Sequence, residues 1–102
     1  MSYTSQSIAL SSPAIAAAKQ TLSALVQSKP LTGLSITSAI EWLDSQLPVL
    51  PDVVSLLTWA NAMEQLCNEL PEAEILWLQV LQTEGYSLRL RAQALPRDVD
   101  RR

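Results

Sequence analysis

Ten carboxylates, one thiol (Cys67) and no histidine make up most of the reactive side chains in this chain of 102 residues. Two acids in unlike surroundings can divide acid and base roles, because their pKa values are pushed apart. Glu41 and Asp44 are spaced to share one helix face, and Glu69, Glu72 and Glu74 cluster at a helix junction. Both groups fall on polar faces or at helix starts, where solvation and the helix dipole already account for an acid. The usual zinc sites need several Cys or His ligands, and a Cys–His or Ser–His nucleophile needs an imidazole, so a single chain supplies neither. No acidic run has the spacing of a calcium loop. The only glycines, Gly33 and Gly85, stand at expected helix ends and form no phosphate-cradling loop. The expectation is a protein that is not an enzyme, with no catalytic residue, no cofactor and no metal.

Cys67 falls on an apolar stripe with Met63 and Leu70. A buried thiol packs as a small hydrophobe, whereas a reactive one needs a cation or a helix N-terminus to stabilise the thiolate. The sequence places no base beside it, so it is expected in the core. A lone cysteine also excludes an intramolecular disulfide and suits a reducing compartment.

Charge is the strongest asymmetry. Between Pro30 and Leu88 there is no lysine or arginine, yet eight acids occur: Glu41, Asp44, Asp52, Glu64, Glu69, Glu72, Glu74 and Glu84. The last fourteen residues reverse the sign, with Arg89, Arg91, Arg97, Arg101 and Arg102 against Asp98 and Asp100. The net charge is −3. Such a split bears on association and not on the choice of fold. Arg89, Arg91 and Arg97 could meet an acidic face of a neighbouring copy. Direct nucleic-acid binding is disfavoured, because only Tyr86 could stack among them and the body is acidic.

Prolines and caps mark the elements that carry these groups. Residues 1–11 are polar and serine-rich, as in a loose arm. A helix is expected from Ser12–Pro13 to about Lys29, with Ile15, Ala18, Leu22 and Leu25 inward. Pro30 and Gly33 end it. A second helix starts at Ser35, or a turn later at the capping-box spacing Ser38-x-x-Glu41, and turns Ile36, Ile40, Leu43 and Leu47 inward. Pro48 stops it. Pro51–Asp52 opens a third helix, running to about Glu69 and striped by Leu56, Ala60, Met63, Cys67 and Leu70. Pro71–Glu72 opens a fourth. Its apolar residues Ile75 to Leu78, Val80 and Leu81 cover more than half its girth, as in a helix central to a bundle or shared with a partner. Gly85 is its natural stop, in the left-handed conformation that glycine favours. Beyond it, Leu88, Ala92 and Leu95 suit a short C-terminal helix, although residues 86–91 alternate like a strand. Residues 96–102 form a basic tail.

The fold class is therefore all-α: a small bundle or array of four main helices plus a short C-terminal helix, in one domain over residues 12–95. Trp42, Trp59 and Trp77 recur at intervals of 17 and 18 residues, one per helix, as in a shared core. Trp42 is offset from its apolar stripe, and tryptophan is a frequent interface anchor. With Glu41 and Asp44 beside it, and Leu76 and Leu78 as groove residues, it forms the candidate partner-binding set. The functional expectation is a protein–protein interaction module (adaptor, small chaperone or assembly subunit) whose partner has a basic rim. The alternative is a self-assembling component that uses Arg tail to acidic face contacts. The start of the chain has no basic segment followed by an apolar run, and no stretch approaches the roughly 20 apolar residues of a membrane span. These features suit a cytoplasmic setting.

Overall fold

The computed structural model describes residues 10–95, and every regular element among them is helical. The helices are α1 (Ser12–Ser28), α2 (Ile36–Gln46), α3 (Val53–Glu69) and α4 (Ile75–Ala94), with a 3-10 turn over Glu72–Glu74 leading into α4. The expected all-α array is the fold the chain adopts. Residues 1–9 of the expected arm and the tail over 96–102 lie outside the described residues.

Each of the three leading helices starts on a side chain that satisfies backbone N–H groups with no partner within the helix. Ser11, one residue earlier than expected, caps α1 by accepting from the Ala14 amide at 3.3 Å, with Pro13 inside the first turn. Ser35 caps α2, accepting from the Ser38 amide at 3.0 Å. Asp52 is the cap of α3 and not its second residue; its Oδ1 accepts from the Ser55 amide at 2.8 Å, and Pro51 stays outside the helix. Hydrogen bonds from the Ser55 amide and then its side chain hold the Asp52 carboxyl below its ordinary value. Pro71 precedes only the 3-10 turn, and its carbonyl accepts from the Glu74 amide before the α-helical ladder begins at Ile75.

α3 is the central helix, packed against α1 on one side and α4 on another, while α2 rests on α4 and makes little contact with any other helix. Leu22, Leu43, Leu56, Met63, Val80, Leu81 and Leu88 are enclosed, so each helix contributes to one core. Full burial of such a side chain contributes about 1.5–3 kcal/mol. The loop from α1 to α2 buries Leu31 and is pinned to the start of α4 by the Trp77 indole N–H, which donates to the Lys29 carbonyl at 3.0 Å.

Gly85 corrects the sequence expectation. It does not end the fourth helix, and no separate fifth helix follows among the described residues. α4 runs unbroken for 20 residues to Ala94. Gly33, at φ 87°, is the one glycine with positive φ. Gly85 keeps helical geometry and is buried where α4 crosses α3; a Cβ there would lie 3.7 Å from the Met63 Cβ and 3.8 Å from the Ala60 carbonyl oxygen. The glycine marks a close helix crossing and not a turn. Because the helix continues, Leu88 and Ala92 extend the buried stripe begun by Trp77 and Leu81. Ile75 and Leu76, at the start of that apolar run, are 54% and 37% exposed.

Candidate functional site

α2 lies with Ala39 and Leu43 buried toward the core and Glu41, Asp44 and Ser45 exposed. Trp42 falls between these two faces and is half-buried. Its ring meets buried Trp77 edge-on, centroids 6.2 Å apart and planes at 70°. The Lys29 ammonium stands 5.3 Å from the Trp42 centroid, within cation–π range. An aromatic side chain held from two sides loses little entropy when a partner covers its remaining area. Trp59 is half-buried against the core, and Trp77 is inside it.

The other residues singled out from the sequence do not gather at Trp42 as one set. Leu76 and Leu78 are two positions apart on α4 and so point about 200° apart around its axis. Leu76 is exposed; Leu78 is half-buried, and its carbonyl accepts a weak hydrogen bond from the Cys67 thiol at 3.9 Å. Arg89 and Arg91 belong to α4 itself. Arg89 pairs with Glu64 of α3 at 2.8 Å, and Arg91 is exposed on the outer surface. Arg97 lies outside the described residues.

The residue that the sequence patterns did not single out is Glu84. It is 3% exposed, the one buried charged side chain among the described residues, and its Oε2 has no hydrogen-bond partner. It occupies the buried stripe of α4 between Leu81 and Leu88, close enough to Asp44 of α2 for the two carboxyls to interact. Burial first, then that interaction with Asp44, push the Glu84 carboxyl up to about 8, against a smaller opposing effect of Arg91. Both causes favour the protonated form of Glu84. A signal was available: Trp77, Leu81, Glu84, Leu88 and Ala92 keep helical spacing once Gly85 is not treated as a stop.

A shallow groove of about 390 Å³ runs between α3 and α4, lined by Glu64, Cys67, Asn68, Leu81, Gln82, Gly85, Tyr86 and Arg89. Cys67 is half-buried on its wall, and desolvation, then the charge of Glu64, push its thiol above the ordinary value. That direction suits the packing role expected of it and opposes a ready nucleophile. Among the described residues no three of His, Cys, Asp and Glu converge as a metal cage, and no helix is long and apolar enough to cross a membrane. Comparison with protein-family models, curated proteins and solved structures yields no match in any of the three.

Proposed function

We propose that this chain is a non-enzymatic protein–protein interaction module that docks a partner on the outer side of α2. The observation that carries this reading is Trp42, braced by Trp77 and Lys29 yet partly open, with the exposed carboxylates Glu41 and Asp44 alongside. An anchor of this kind suits an apolar helix of the partner, and the acids favour a basic rim on it. Lys29 already occupies a cation position over the indole, so an arginine of the partner could take the same place. An adaptor or assembly subunit in the cytoplasm is the setting this chemistry fits best. Self-assembly through the arginines has less support, because Arg89 is engaged by Glu64 of its own chain and Arg91 lies close enough for its charge to act on Glu84.

The test is affinity capture by the tagged chain from its source lysate, in parallel with Trp42→Ala and Glu41→Lys, each checked for fold by circular dichroism. One stoichiometric partner, lost at least tenfold with either folded variant, supports the docking face. A partner retained by both variants moves the contact elsewhere. A salt-sensitive oligomer with nothing else bound transfers the function to self-assembly.

A further inference from the structure

The seam between α2 and α4 is built like an ordinary apolar interface except at one position. Ala39 and Leu43 of α2 are buried, as are Trp77, Val80 and Leu88 on α4, and Glu84 is buried on that helix with Oε2 unpartnered. An ionised carboxylate in such a place would be strongly disfavoured, and a neutral one needs a proton and an acceptor for it. Asp44 of α2 is the carboxylate that acts on Glu84, and because it is solvent-exposed it offers a proton a route to water. We propose that Glu84 and Asp44 form a proton-binding latch: a single shared proton clamps α2 to α4, and its loss releases α2.

The nearest cation from the α1–α2 loop, Lys29, stands over the Trp42 ring and is not among the groups that act on Glu84. From α2 the titratable groups are Asp44, in contact, and Glu41, exposed one turn away. From α4 itself Arg91 opposes the two acids, but it is exposed and its effect is the smallest. α3 contributes Glu64 and Glu69, engaged on the surface by Arg89 and Lys19, and Cys67 in the opposite groove region. With the proton gone, two carboxylates would meet at the seam with no cation between them. α2 is the element to yield, since it rests on α4 and on no other helix to a comparable extent. Its release would bare Leu43 and part the Trp42–Trp77 pair. Raising the pH through neutrality would shift the balance from the clamped toward the released form.

This latch does not depend on the docking reading, because it is measured on the purified chain alone. Hydrogen exchange of the full chain would be followed at pH 6.5 and pH 9, with rates corrected for the chemistry of exchange. The expected result is a loss of protection of at least tenfold across α2 at the higher pH, with α3 changing far less and Glu84→Gln abolishing the difference. Equal changes in α2 and α3, or the same α2 loss in Glu84→Gln, would overturn the latch. Carbon-13 titration of side-chain carboxyls in the unaltered chain tests it without any variant. A Glu84 resonance titrating above pH 6.5 supports the shared proton, and one titrating in the ordinary glutamate range refutes it.

Discussion

Trp77 joins three parts of the chain at once: its indole N–H donates to the Lys29 carbonyl at 3.0 Å, while its ring meets Trp42 edge-on at 6.2 Å. A residue 2% exposed thus closes the α1–α2 loop, orients α2 and seats the start of α4. Trp77→Phe keeps an aromatic ring but leaves the Lys29 carbonyl without its donor. The expected loss is about 1–2 kcal/mol in urea unfolding, from the hydrogen bond and the smaller ring. Trp42→Ala removes an edge-to-face pair worth about 0.5–1.5 kcal/mol beyond its burial, and the folded state should survive it.

Gly85→Ala should stabilise the protein. Gly85 has helical geometry in a helix interior, where glycine is about 0.5–1 kcal/mol worse than alanine, and the added Cβ would meet Met63 and Ala60 at ordinary contact distances. Gly33→Ala, at φ 87°, should destabilise by about 1 kcal/mol. Thermal unfolding of the pair would show Tm moving in opposite directions. A fall in both would mean that the α3–α4 crossing cannot accept a methyl group.

Stability should fall as pH rises across neutrality. Burial and Asp44 push the Glu84 carboxyl up to about 8 in the folded chain, from an ordinary 4.5, so between these values the folded state holds a proton that the unfolded state releases. This contribution is complete below about pH 4.5 and lost by about pH 8. Asp52 acts with the opposite sign: its carboxyl is lowered from 3.8, so its contribution is lost only as acidity deepens below that value. Urea midpoints measured from pH 4 to pH 9 should therefore peak on the acid side of neutral. Glu84→Gln should flatten the alkaline limb, and a limb of unchanged slope in that variant would assign the effect to another group.

The surface ion pairs should matter little. Lys19–Glu69 and Arg89–Glu64 each keep a largely exposed acid, and pairs of this kind contribute about 0–1 kcal/mol. Glu64→Gln should shift the urea midpoint slightly, and the shift should vanish in high salt.

Local chemistry makes the helices legible in the sequence. Ser11, Ser35 and Asp52 supply oxygens to free amides, Pro30, Pro48 and Pro71 interrupt the backbone, and the apolar residues between them recur at helical spacing. Those signals act over three or four residues, so they need no knowledge of what the helix packs against. The burial of Trp77 follows from the same periodicity, whereas Cys67 and Trp59, expected in the core, are only half-buried against it. The placement of the docking residues does not follow from periodicity, because Leu76 and Leu78 look alike in an apolar run and differ only in which side of α4 meets the core.

The helical class, the four main helices and the polar side of α2 are consequences of short-range backbone and solvation preferences, and the residue order is enough to fix them. Gly85 and Glu84 take their meaning from contacts between helices. A glycine that ends a helix and one buried within it are the same residue, told apart by the unbroken helix and by Met63 and Ala60 across the crossing. An acid on a solvated helix face titrates in its ordinary range. Glu84 becomes a buried proton site only because α2 lands on that face of α4 and brings Asp44 to it, and the free energy of a carboxyl is set by its surroundings.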